Sequence, residues 1–77
     1  MLDREEFKNR IGQKIREVRE SKGISQKDFE FLEFGIERQM LSKIERGLRY
    51  PELYTLYRIA KTLNVSLSEL LKGVDND

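Results

Sequence analysis

Between Glu37 and Gly47 the side chains able to do chemistry are hydrogen-bond donors: Arg38, Gln39, Ser42, Lys43 and Arg46. Leu41 and Ile44 lie three residues apart among them, so a short helix here turns those two inward and leaves the donors outside. Guanidinium, amide, hydroxyl and ammonium groups so arranged match the acceptors that base edges and phosphates present in a DNA major groove. Gly47 supplies the stop, because a residue without Cβ accepts the left-handed cap conformation. Such a face suits a helix laid in a groove better than a reaction centre.

The composition narrows the other options. With no cysteine there is no disulfide framework and no thiolate zinc site. With no histidine, the commonest general base and metal ligand is also missing. No cofactor and no metal are expected, and an enzyme ranks last among the function classes, since nothing assembles a catalytic cleft. No apolar run approaches the roughly 20 residues needed to cross a bilayer, and no signal-peptide pattern opens the chain. The reading is a soluble, cytoplasmic protein without membrane contact.

Net charge is only +1, weak for a nucleic-acid binder, but its distribution is uneven. From Arg38 to Arg49 stand Arg38, Lys43, Arg46 and Arg49 against Glu45 alone, while Glu30, Glu33 and Glu37 precede them. One sign is gathered about the candidate groove helix, as steering of a polyanion requires. A mixed solvated surface is the plainer reading of the same charges.

The elements that must position this face follow from periodicity. Phe7, Ile11, Ile15 and Val18 form the stripe of a first helix, ended by Lys22-Gly23. Ser25-Gln26-Lys27-Asp28 has the form of a capping box, so a second helix starts near Gln26 with Phe29 and Leu32 inward. Gly35 marks the turn into the third, where Glu37 is a weak cap. Pro51 disfavours helix in the residue before it, and Leu53, Leu56, Ile59, Ala60 and Leu63 then give a fourth stripe ended by Asn64. Ser66-Leu67-Ser68-Glu69 opens a fifth helix carrying Leu67, Leu70 and Leu71, with Gly73 as its stop. No alternating strand pattern competes. The fold class is all-α, about five short helices in one compact bundle spanning 1–77, with 74–77 as a flexible tail.

At this point a family likeness is visible. Ile11-Gly12-Gln13-Lys14-Ile15-Arg16, Arg19, Lys22-Gly23-Ile24-Ser25-Gln26, Leu41-Ser42-Lys43-Ile44-Glu45-Arg46-Gly47, Pro51 and Ile59-Ala60-Lys61 through Leu63-Asn64-Val65 resemble the phage-repressor and Cro-like (XRE-type) helix-turn-helix family. The likeness runs over 7–73. It implies a lambda-repressor-like five-helix bundle whose second and third helices form the DNA-reading unit. By position it places Arg38, Gln39 and Lys43 at base contacts and Ser42 at a phosphate or base contact. It sets Gln26 against a phosphate, and Arg46 and Arg49 beside the loop that grips the backbone. It makes Arg19 and Glu45 a structural ion pair tying the first helix to the end of the third, a role suited to the planar fork of arginine.

One departure stands out. The family usually has a small residue in the second helix, four before the turn glycine, whereas here Phe31 or Glu30 occupies that place, according to the direction of counting. The segment Phe29-Glu30-Phe31-Leu32-Glu33-Phe34 therefore holds one extra residue, to be absorbed by a lengthened turn or a π-bulge. Its phenylalanines read mostly as core, with one in the turn or exposed, and Met40 reads as a gap-filler.

The functional reading is a sequence-specific, double-stranded-DNA-binding transcriptional regulator working as a homodimer. Its kinds include the restriction-modification controller, the phage-type repressor and the antitoxin, with a toxin or the polymerase as a further protein contact. The dimer interface is placed on Tyr54, Tyr57, Leu67, Leu70, Leu71 and Val74, an apolar surplus in the C-terminal third. The alternative from another class is a protein-interaction module that kept the fold without DNA binding, built on Phe31, Phe34 and the tyrosines.

Overall fold

The computed structural model describes residues 1–76, in which the helices run in the order α1 (Arg4–Ser21), α2 (Gln26–Phe31), α3 (Arg38–Glu45), α4 (Leu53–Thr62) and α5 (Leu67–Leu71). No strand occurs among the described residues. The local signals place most of these ends. Asp3 caps α1 by accepting from the Glu6 N–H at 2.9 Å, and Gly23, with φ +70°, closes it. The Ser25 and Ser66 hydroxyls accept from the N–H groups of Asp28 and Glu69, each at 3.0 Å, and so begin α2 and α5. Asn64, at φ +58°, turns the chain between α4 and α5.

One core joins all five helices. Ile11 and Ile15 from α1 meet Phe29 from α2, Leu41 and Ile44 from α3, Leu56, Ile59, Ala60 and Leu63, and Leu70 from α5. Ile36, just before α3, is buried with them and anchors the entry to that helix. At Gly12 α1 lies directly against α3: a Cβ there would collide with the carbonyl oxygens of Ile44 and Glu45. The end of α3 thus lies against the backbone of α1, an approach only glycine permits.

Several expectations need correction. Leu32 is exposed rather than inward, because α2 stops at Phe31 and Leu32 already has extended geometry. The α2–α3 turn takes up residues 32–37, with no π-helical residue in the segment. There Phe34, not Gly35, takes the left-handed conformation at φ +67°, a state that costs an L-residue roughly 1–2 kcal/mol. Of the three phenylalanines only Phe29 is core, whereas Phe31 is 78% exposed and Phe34 is exposed in the turn. Leu53 is 70% exposed, since at that end of the fourth stripe Pro51 is the buried residue.

The tail expectation also changes. Gly73, at φ +81°, reverses the chain, the Val74 N–H donates to the Leu71 carbonyl at 3.1 Å, and Val74 folds back to 5% exposure beside Phe7 and Leu71. Arg10 of α1 donates to the carbonyl oxygens of Val74 and Asn76. Val74 is therefore core and 74–76 are tied to α1; Asp77 lies outside the described residues.

Candidate nucleic-acid interface

The candidate face is the outer side of α3. Its inner side is fastened by Leu41 and Ile44, both fully buried, which leaves Arg38, Gln39, Lys43 and Arg46 exposed and Ser42 half-buried. Among the described residues, the side chains of Arg38, Lys43 and Arg49 make no ion pair and no hydrogen bond. Cations on α1 are placed otherwise: Lys8 pairs with Glu5 at 3.0 Å, Arg10 with Glu6 at 3.0 Å and Arg16 with Glu20 at 3.4 Å. Arg46 folds back, its Nε donating to the Ser42 carbonyl at 3.3 Å.

Behind this face lies a buried junction. Arg19 Nε donates to Glu45 Oε2 at 2.7 Å and Arg19 Nη2 to Glu45 Oε1 at 3.0 Å, a bidentate pair. Arg19 Nη1 also donates to the Ile24 carbonyl at 2.7 Å. The hydrogen bonds to Glu45, strengthened by its negative charge, raise the Arg19 pKa above its ordinary value against the opposing effect of burial. Every buried polar side-chain atom among the described residues has a partner. That condition lets an ion pair sit in a core without a large penalty.

Gln26, which the resemblance sets against a phosphate, also makes a contact inside the protein. Its side chain is half-buried, and Nε2 donates to Glu45 Oε1 at 3.0 Å, so one of its two amide N–H groups is engaged inside the protein. The Glu45 carboxylate thereby draws α1, α2 and α3 together. Glu37 makes no side-chain cap; instead Glu30 of α2 reaches across the turn, its Oε2 accepting from the Arg38 N–H at 3.2 Å. Sequence reasoning read Glu30 as one of the acids preceding the cationic segment and as a misfit in the place of a small residue, not as a cap of α3.

The loop after α3 is equally determined. The Gly47 N–H donates to the Ile44 carbonyl at 3.0 Å and the Leu48 N–H to the Lys43 carbonyl at 2.9 Å. Tyr50 donates its hydroxyl proton to the Arg4 carbonyl at 2.7 Å, and the Arg4 guanidinium lies 4.7 Å from the centre of its ring. Met40 and Arg49 line a cavity of about 230 Å³ beside Tyr50 and Pro51, with Met40 half-buried as a filler of irregular space.

Two residues of α4 that carried no sequence signal also touch this unit. Arg58 donates through Nη2 to the Gly35 carbonyl at 2.5 Å and through Nε to the Phe34 carbonyl at 3.3 Å. Thr62 Oγ1 lies 2.9 Å from the Arg58 carbonyl and 3.3 Å from that of Glu33. Their acceptors are backbone atoms, which have no residue identity to read.

Of the residues placed at the dimer interface, Leu70 and Val74 are buried and the others keep some exposure. Tyr54 and Tyr57 are exposed on α4, with ring centres 6.1 Å apart, next to exposed Leu53. Leu70, at 1% exposure, and Val74 belong to the monomer core, and Leu71 is half-buried, lining a cavity with Phe7 of α1. Leu67 is half-buried against the core. A dimer contact at Leu70 or Val74 would have to remove them from their own bundle.

A family model described as helix-turn-helix (HTH_3) matches residues 15–70, well over half of the chain. The chain belongs to the helix-turn-helix family. Within it, α2 and α3 are the helix pair that gives the family its name, with the turn 32–37 between them. The helix-turn-helix chain is 38% identical, over 84% of its length and 83% of the relative's, to the uncharacterized HTH-type transcriptional regulator y4dJ of Sinorhizobium fredii. It is 32% identical to the control protein C.MunI of a Mycoplasma species, covering 94% of this chain and 97% of that one. Among solved structures it is similar to the restriction-modification controller protein C.AhdI of Aeromonas hydrophila. The TM-score is 0.75 at 35% identity, with 80% of this chain and 92% of that chain covered. It is also similar to the controller protein C.Esp1396I, whose structure is a tetramer in complex with its natural 35 base-pair operator. There the TM-score is 0.76 at 27% identity, over 91% of this chain and 96% of that one.

Proposed function

We propose that this helix-turn-helix protein is a sequence-specific, double-stranded-DNA-binding transcriptional regulator that acts as a homodimer and uses α3 as its recognition helix. The observation that carries the reading is the unpaired cationic face of α3, with exposed Arg38, Gln39 and Lys43 backed by the fully satisfied Arg19–Glu45–Gln26 junction. Arg38, Gln39 and Lys43 read base edges, the charges of Lys43, Arg46 and Arg49 neutralise phosphates, and Ser42 adds a hydroxyl beside them. Gln26 serves the junction, and through it the aim of α3. Chemistry is not required of the chain: docking over a promoter element changes the access of polymerase.

Among regulators, the restriction-modification controller is the kind best supported. The likeness to C.MunI covers nearly the whole of both chains, and C.AhdI and C.Esp1396I match in fold as well. One recognition helix reads only a few base pairs, too few against the roughly 10⁶ or more competing sites of a genome. Two copies on half-sites about one helical turn, ~34 Å, apart supply the missing discrimination. Tyr54 and Tyr57, exposed and stacked beside Leu53, are the most open part of the expected interface, with Leu67 and Leu71 partly exposed.

The test is fluorescence anisotropy with labelled duplexes over a salt series. Six phosphate contacts per dimer give a log–log slope of about −5. A flat response, or no binding to any duplex, would replace this reading with a protein-interaction module centred on the exposed Phe31 and Phe34.

A further inference from the structure

We propose that Arg58, on α4, is a positioning residue for DNA recognition: it fixes the α2–α3 turn and, through it, the angle at which α3 is presented. The inference rests on the DNA-binding reading above and adds a residue that touches protein carbonyls.

The α2–α3 turn cannot hold itself. Phe34 sits at φ +67° with a full side chain, a conformation that persists only where the surroundings over-determine it. Gly35 has no room to shift inward, since a Cβ there would already meet the carbonyl oxygens of Phe29 and Leu32. Arg58 takes the two carbonyls that bracket this strained link, Phe34 and Gly35, with Nε and Nη2 of one guanidinium. Thr62, one helical turn further along α4, brings its hydroxyl to the Glu33 carbonyl. Two successive turn carbonyls are therefore held from α4 by Arg58, with the Thr62 hydroxyl beside a third, and Ile36 is buried immediately afterwards.

From that anchored point only Glu37 separates the turn from Arg38 and Gln39. The Glu30 carboxylate holds the Arg38 N–H from the other side. Base contacts depend on placement within about 0.5 Å and 10–20°. A rigid planar fork fixes two carbonyls at once, whereas the point charge and flexible stem of lysine do not impose that geometry. Without Arg58 the turn relaxes and the first turn of α3 loses its aim. Lys43, Arg46 and Arg49 still attract phosphates, so binding continues while base discrimination falls.

The experiment compares wild type, Arg58→Gln and Arg58→Lys. One probe is the duplex that wild type enriches from a randomised pool, paired with the same duplex changed at one base pair per half-site. The second measurement is native-state amide hydrogen exchange without DNA. In Arg58→Gln the affinity ratio between the two duplexes should fall about tenfold, with the salt slope unchanged. Amides of residues 35–39 should exchange about tenfold faster, while those of Ile15 and Ile59 keep their protection. Arg58→Lys should retain the charge without restoring the ratio.

Wild-type discrimination together with wild-type exchange in Arg58→Gln would overturn the proposal. A shallower salt slope that Arg58→Lys restores would also overturn it, by making Arg58 a phosphate contact. So would faster exchange throughout α1 and α4 in both variants, which would make it a general stability residue. If wild type enriches no duplex, the DNA-binding reading fails by itself, and the exchange measurement still decides whether Arg58 holds the turn.

Discussion

Arg19 and Glu45, 26 positions apart, meet through two parallel hydrogen bonds of 2.7 and 3.0 Å in the interior of the bundle, with only 8% and 2% of their side chains exposed. The pair joins the last turn of α1 to the last turn of α3, where Gly12 has already brought the two backbones together. The outer face of α3 is thus held from beneath by a charge pair and a close helix approach. Its exposed donors stand on a fixed support.

Removing one partner leaves the other charge buried and unpaired. Glu45→Ala should destabilise the fold by about 3–5 kcal/mol, with the Gln26 amide losing its acceptor as well. The double variant Arg19→Met/Glu45→Leu should recover much of that loss, because an apolar pair has no desolvation cost. Thermal melts read both, at roughly 4–8 °C per kcal/mol for a domain of this size. A Glu45→Ala protein melting within a degree or two of wild type would show that the junction is not holding α3.

Gly12→Ala tests the close approach. The added methyl meets the Ile44 and Glu45 carbonyls, which cannot move without shifting α3. Overpacking of this kind costs about 1–3 kcal/mol, whereas the same change at an unobstructed helix site gains helix propensity. A lowered melting temperature with weaker DNA binding is the expected outcome; a raised one would mean that α1 and α3 separate easily.

Gln39→Ala should leave circular dichroism and melting near wild type, since the side chain is exposed on α3. Loss of a bidentate base contact reduces discrimination by about 1–3 kcal/mol. Selection from a randomised duplex pool measures it. An unchanged selected sequence would show that the α2–α3 turn has aimed α3 so that Gln39 misses the bases.

Tyr57→Glu and Val74→Glu separate assembly from folding. Tyr57 is exposed and stacked on Tyr54, so the first change should leave the monomer intact and weaken self-association in sedimentation across micromolar concentrations. Val74 is buried against Phe7 and Leu71, so a carboxylate there should lower the melting temperature at every concentration. Normal self-association by Tyr57→Glu would remove the tyrosines from the interface.

The local parts of this protein are written in its sequence. Helix stripes, the Ser25 and Ser66 caps, the stops at Gly23 and Gly47 and the outer placement of Arg38, Gln39 and Lys43 all follow from residues a few positions apart. Each is settled within one or two helical turns, at a range where side-chain type governs geometry. The tertiary structure decided what happens where elements end and where partners are distant. Leu53 continues a stripe yet is exposed, and Val74 follows a stop yet is core, because periodicity does not say where the bundle itself stops. Gln26 turned to Glu45, Glu30 capped α3 and Arg58 took the turn carbonyls. These bonds form only after packing brings the segments together, and two of them end on backbone atoms that every residue shares.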